Sequence, residues 1–438
     1  MMQLLARPVD TARGLLVAIL GVALLSAVTA QAQVIAIVGG TVHTQGEQGT
    51  LTEATVLVRD GRIVEVGRNV TVPDEARRID ARGKVVTPGI IDAHGQIGID
   101  EISGVEETVD SRNTAPRFSA AFDVIDAFNP RSMVVPVNRI EGITRAVVAP
   151  THGNGATLIA GRGAIVDLIH PTDFVTLSPA AMYASLGETG ARLSGGARGA
   201  AFLHLREAFE DARDHVEHRA AFERRERRDY ALGRLDLQAL QPVIAGELPL
   251  VLGVQRASDI LAALRLAEQY GLKLVILGGA EAWMVADALA AARVPVLLDP
   301  LQNLPSSFET LGSTLENAAR LHAAGVRFAF ATGATHNARN ITQAAGNAVA
   351  HGLPWDAALA AITVTPALIW GIDDRVGRLE AGMEADIVVW DGDPLEVTSY
   401  PDHVLIRGLA VPMTSRHTQL RDRYMNLDEG ELPRAYPR

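Results

Sequence analysis

The chain has 438 residues, 48% hydrophobic and 21% charged, with a formal net charge of -11. That is enough apolar material for a large core and a satellite unit beside it, and the acidic balance implies no polyanion-binding surface. With no cysteine there is no disulfide, thiolate zinc site or lipid-modified cysteine.

Residues 1–32 stand apart. Arg7 and Arg13 give a weakly positive start ahead of an apolar run over 14–28, and Ala30 and Ala32 offer two cleavage points. This is the layout of a secretory signal peptide, and the run falls short of the ~20 residues a spanning helix needs. The expected mature chain begins at Gln31 or Gln33, is exported to a periplasm and keeps no membrane span.

Strands are predicted over 34–38, 55–59, 62–66 and 84–87, and Asp60-Gly61 between the second and third is a hairpin turn in which both residues need positive φ. Short β segments return at 377–379, 386–390 and 404–407. Neither group is stable alone, so the two ends, 33–88 and 376–438 with a C-terminal tail, are expected to form one β-sandwich. Between them, 89–375 alternates apolar runs at 90–91, 145–149, 164–168, 250–254, 274–277, 296–298 and 327–331 with helical patterns at 258–270, 281–292, 314–324, 341–351 and 355–362. Such alternation predicts an α/β unit, a parallel sheet with both faces covered. Seven strands are legible; a barrel requires an eighth, to be sought between 170 and 245, and a doubly wound open sheet is the competing topology.

The stretch 205–229 mixes acids and bases at helical spacing. It predicts a solvated helix rather than a nucleic-acid surface, with His215 and His218 on its wet face. Gly153-Asn154-Gly155 and Gly161-Arg162-Gly163 lack a phosphate-binding fingerprint and read as tight turns.

Val85-Val86-Thr87-Pro88-Gly89-Ile90-Ile91-Asp92-Ala93-His94 resembles the entry into the first barrel strand of the amidohydrolase superfamily, close to its imidazolonepropionase-like branch. Thr365-Pro366-Ala367, Gly371-Ile372-Asp373-Asp374-Arg375-Val376-Gly377 and the run 379–390 resemble its return into the sandwich, so that the resemblance spans about 34–410. It implies a (β/α)8 TIM-like barrel with a small β-sandwich built from both chain ends. It also implies hydrolysis of C–N bonds in amides, cyclic amides and some dipeptides. In that family water is activated on one or two divalent metals, commonly Zn²⁺, which lower its pKa to ~7. The implied ligands are a His-x-His pair on strand one, a Lys or Glu on strand four, His on strands five and six and an Asp, also the general base, on strand eight.

His94 matches the first of these; the second is Gln96. The two lysines, Lys84 and Lys273, lie off strand four, and Glu188 is the nearest glutamate. Gly253 or Gln255, Gly278 or Gly279, and Gly333 or Ala334 occupy the remaining positions. The resemblance therefore implies at most one weakly held divalent metal, zinc, with His94 as its ligand and the catalytic residue. Gln96, Gln255, His152, His336 and Asn337 are the expected substrate-binding residues for a small amide-type molecule. His94, His152, His336 and Asp299 carry ligand types for a single atypical metal site. Glu281 reads as the start of a helix and Asp299 as the start of a turn. Two functions follow: a hydrolase of amides or cyclic amides with a reduced metal site, or a catalytically inactive exported barrel that binds a small ligand or partner protein.

Overall fold

The structure, a computed structural model, describes residues 34–114, 117–153 and 157–425. The expected export segment and the turn at Asn154-Gly155 lie outside the described residues. No helix among the described residues is long and apolar enough to cross a membrane.

Strand β1 (Val34–His43) is apolar on both faces, with Ile35 and Ile37 in one core and Ala36 in another, and accordingly lies in the interior of its sheet. β2 (Thr50–Arg59) and β3 (Arg62–Gly67) form the expected hairpin, with φ of 51° at Asp60 and 77° at Gly61. β4 (Arg77–Asp80) and β5 (Val85–Pro88) run parallel to β1.

The second sheet runs in chain order: β6 (Ile90–Gly95), β7 (Ile143–Val148), β8 (Ile159–Asp167), β9 (Val175–Ser185), β10 (Leu250–Val254), β11 (Leu274–Gly278), β12 (Val296–Leu298) and β13 (Phe328–Phe330). It is a nearly closed eight-strand barrel. β9 is the strand that the sequence left unplaced; its Ser, Pro and Ala content (VTLSPAAMYAS) carries little strand signal. β8 departs from expectation, pairing antiparallel with both neighbours. Its connections are too short for a crossover, which needs a dozen or more residues, so the chain must double back. Gly161 and Gly163 are strand residues of β8 rather than turn residues, and close neighbours account for the glycines: an added Cβ would lie 2.5 Å from Phe122 O and 2.8 Å from Val148 O respectively. The barrel closes without a ladder, through Gly333 N–H to His94 O at 3.1 Å and Gln96 N–H to Ala334 O at 3.3 Å.

Alternation along the strands separates two cores. Val147, Tyr183, Val251, Val275, Leu297 and Ala329 pack together with Trp370 from the last barrel helix, Val364–Trp370. Ala146, Val148, Leu252, Ile276 and Val296 pack with helix residues such as Phe209, Ile260, Leu321 and Ile341. The predicted helix at 258–270 is present as Ala257–Tyr270, and that at 281–292 starts as a 3-10 turn, Ala282–Val285, before Ala286–Ala292. The charged stretch ends its main helix, Arg198–Glu217, early. His215 there is buried, contrary to expectation, against the rings of Phe222 and Tyr230.

β14 (Ile387–Trp390), β15 (Pro401–Ile406) and β16 (Leu409–Ala410) then extend the first sheet, β14 pairing antiparallel with β5 so that Val388 meets Thr87. Both chain ends thus share one sheet, ordered β16-β15-β14-β5-β1-β2-β3. It curls, since Arg62 bridges to Glu384 and Ala385 N–H donates to Gly61 O. Residues 377–379 form no strand; Leu379 N–H only donates to Thr44 O. Ile387 and Val389 face the sandwich core, while Val388 and Trp390 face the core shared with the barrel. Arg145 of β7 ties the two sheets together: wholly buried, it contacts Glu384 at 2.5 Å and Asp386 at 2.7 Å.

Candidate active site

All six residues of β6 are buried. Asp92 Oδ1 accepts from His94 N–H at a long 3.4 Å, and Oδ2 has no partner. Burial pushes this carboxyl up to about 7. His94 is 7% exposed; its ring centroid lies 5.5 Å from that of Tyr183, tilted by 32°, and its Nδ1 has no partner. Burial pulls its imidazole down to about 4. The Tyr183 hydroxyl is also unpartnered, and burial, reinforced by the charge of Asp92, raises its pKa. Gly95 and Gly163 leave room for this group, since an added Cβ would lie 2.3 Å from Asp92 Oδ2 and 2.7 Å from the Tyr183 ring. Buried polar atoms are nearly always partnered, and three clustered exceptions with displaced pKa values mark a candidate site.

A second pair lies at the ends of β7 and β9. His152 Nε2 contacts Leu158 O at 2.9 Å, and Ser185 Oγ lies 3.3 Å from His152 Nδ1. Gln96, buried, lies two residues beyond His94. Gln255 Oε1 accepts from Ala280 N–H at 3.1 Å, and a Cβ on Gly278 would collide with its amide at 2.3 Å. Gln255 thus fills the space that a side chain at 278 would take.

Other expected residues go elsewhere. His336 and Asn337 are exposed on the turn after β13, with His336 Nδ1 3.3 Å from Thr335 Oγ1. Asp299 is exposed and accepts from Leu301 N–H at 2.9 Å, as a turn residue does. Glu188 lies beyond the end of β9, in the helix Gly187–Leu193, 3.5 Å from Arg198. Glu281 does serve a helix start, but of Ala257–Tyr270: its carboxylate accepts from Ala257 N–H at 3.0 Å and from Gly312 N–H at 3.2 Å. Among the described residues no group of three or more His, Asp or Glu side chains gathers where a metal ion could be held. The set His94, His152, His336 and Asp299 therefore does not assemble.

Sequence reasoning passes over Asp92, Tyr183 and Ser185. The latter two lie on the strand that the sequence does not reveal, and Asp92 stands out there only as part of a motif.

Residues 203–418 match the model of the amidohydrolase family. The chain is similar to amidohydrolase TasK of Hapsidospora irregularis, 25% identical over 390 residues, covering 81% of this chain and 39% of that protein. It is also similar to a dihydroorotase of Bacillus cereus, 29% identical over 144 residues, or 32% of each chain. The matched regions span 39% and 32% of those relatives' lengths. Among solved structures, an amidohydrolase from Thermotoga maritima superposes with a TM-score of 0.78 at 27% identity, covering 86% of this chain and 99% of that one. Molinate hydrolase shares the fold, with a TM-score of 0.56 at 18% identity over 93% and 98% of the two chains. With an eight-strand barrel joined to a sheet made from both chain ends, these matches place the chain in the amidohydrolase superfamily.

Proposed function

We propose that the chain hydrolyses a non-peptide C–N bond, in an amide or cyclic amide, at the barrel mouth around His94 and without the family's metal cluster. The observation that carries this is the trio of buried, unpartnered polar atoms on Asp92, His94 and Tyr183. Such atoms keep the cost of lost hydration until a ligand relieves it. A carboxyl held near neutrality can share a proton with a polar substrate atom bound beside it. The donor set argues against the metals. His94 is the one imidazole at a family-matched position; Gln96 offers only a neutral amide, and glycine offers no ligand at all. Export to a periplasm belongs to the same proposal and rests on residues 1–32; mass spectrometry of the exported protein should find Gln31 or Gln33 as its first residue.

The test assays purified protein on cyclic amides, N-acyl amino acids and dipeptides, with and without added Zn²⁺ or Mn²⁺, beside elemental analysis. Expected are turnover that survives chelation, less than one tightly held metal per chain, and loss of turnover in a folded His94→Ala variant. One or two metals resistant to chelation would overturn the metal-poor reading, and turnover in His94→Ala would overturn the role of that residue. Silence across the panel would favour the second reading, an inactive barrel that binds a small ligand or partner protein. That reading draws on the exposed apolar residues Leu304, Phe308 and Leu311 in the loop after β12.

A further inference from the structure

We propose that Ser185 is a nucleophile activated by His152, so that hydrolysis runs through an acyl-serine intermediate. The proposal rests on the reading that amide hydrolysis takes place at this mouth, and it names the group that replaces metal-bound water.

Ser185 ends β9 two residues beyond Tyr183, hence on the same face of the strand. Its Oγ lies 3.3 Å from His152 Nδ1, and His152 Nε2 lies 2.9 Å from Leu158 O. A carbonyl oxygen only accepts, so Nε2 carries the ring hydrogen and Nδ1 of the neutral ring carries the lone pair. The Ser185 hydroxyl is therefore the donor and His152 the acceptor, as a nucleophile and its base require. The Leu158 carbonyl orients the ring, the part that a third residue plays in hydrolytic triads. Burial, with Arg192 adding its charge, lowers the His152 pKa and favours the neutral ring.

Gly253 supports the assignment independently. It occupies one of the two positions at which the family's strand-five His falls, and an added Cβ there would lie 2.9 Å from Ser185 Oγ. The same absence of a side chain removes a metal ligand and frees the hydroxyl. Both Ser185 and His152 are half-buried, within reach of solvent.

The reaction needs only water as co-reactant. Ser185 Oγ adds to the carbonyl carbon as its proton passes to His152 Nδ1. The C–N bond breaks and that proton leaves with the nitrogen, giving acyl-Ser185 and an amine. Water then adds to the acyl carbon and gives a proton to His152. The C–Oγ bond breaks, the proton returns to Ser185 and a carboxylic acid departs. An ester would follow the same path.

The experiment treats the full chain with a biotinylated fluorophosphonate and locates the adduct by mass spectrometry. Expected is one adduct per chain, on Ser185, formed equally with and without EDTA and absent in Ser185→Ala. His152→Gln should slow labelling on the order of 100-fold. A folded wild type that stays unlabelled at Ser185 overturns the proposal, as does His152→Gln labelling at the wild-type rate; neither result depends on how Ser185→Ala folds. Labelling without turnover on the amide panel would leave the pair standing and remove the C–N hydrolase reading. Turnover without labelling would do the reverse.

Discussion

The two ends of the barrel bury ionisable side chains on opposite terms. At the N-terminal end Arg145 meets Glu384, Asp386 and Thr176. Arg375 takes the other oxygen of Glu384 at 2.8 Å, and Arg407 N–H donates to the other oxygen of Asp386 at 2.8 Å. At the C-terminal end Asp92, His94 and Tyr183 each keep an unpartnered polar atom. The first group resembles a rivet: opposite charges and hydrogen bonds offset the desolvation that burial imposes on each member, and it ties barrel and sandwich sheet together. The second is a reservoir of unmet hydrogen bonding, which is the better place to look for chemistry.

Four measurements would break or sharpen this contrast. Val388→Asp places an unpartnered carboxylate in the core that the terminal sheet shares with the barrel and should cost about 4 kcal/mol or more; an unchanged melting temperature would contradict the burial of Val388. Arg145→Ala leaves the buried Asp386 without an ionic partner and Glu384 with Arg375 alone, and should cost roughly 3–5 kcal/mol. Adding Glu384→Gln and Asp386→Asn to it should recover a large part of that loss by chemical denaturation, and no recovery would mean that the arginine acts by packing alone.

At the mouth the expected effects are smaller and depend on pH. Asp92, raised from 3.8 to about 7, contributes stability that is full below about pH 4 and is lost as pH rises through 7. His94, lowered from 6.5 to about 4, contributes stability that is present above pH 6.5 and is lost as pH falls through 4. The two slopes oppose each other in between. As pH rises from about 4.5 to about 6.5, stability relative to wild type should therefore climb for Asp92→Asn and decline for His94→Gln. Each change is a few kcal/mol at most, since a tenfold change in proton affinity is worth about 1.4 kcal/mol. Parallel slopes in the two variants would show that the two groups titrate as a pair. Smallest is Glu281→Ala, which uncaps the helix Ala257–Tyr270 and should lower unfolding free energy by about 1 kcal/mol.

The architecture was legible because its signals are local and repeated: Asp60-Gly61 between apolar strands, helical runs after short apolar ones, and family segments at both edges of the barrel. β9 was not, because pairing with β8 on one side and β10 on the other holds Ser, Pro and Ala in a strand that their intrinsic preferences do not favour. The direction of β8 was missed for a related reason, since an apolar strand looks the same whichever way it runs. For the site, His94 could be found by its motif. Ser185 and His152 could not be joined, because their proximity is a product of the β7–β8–β9 doubling-back that the sequence did not disclose. His215 looked wet because its neighbours in the chain are charged; the rings that cover it come from beyond the end of its helix.

The sheet shared by both chain ends also sets an order of assembly. β5 cannot meet β14 until about 300 further residues have been made, because Thr87 pairs with Val388. Until then β1, β2, β3 and β5 form a fragment whose β5 edge has open N–H and C=O groups, the situation that invites pairing with other chains. Synthesis of this protein thus passes through a long interval in which its first-made strands are finished but uncovered. A ribosome-stalled chain ending before residue 387 should present that edge to a holding chaperone, and a chain released after residue 410 should not.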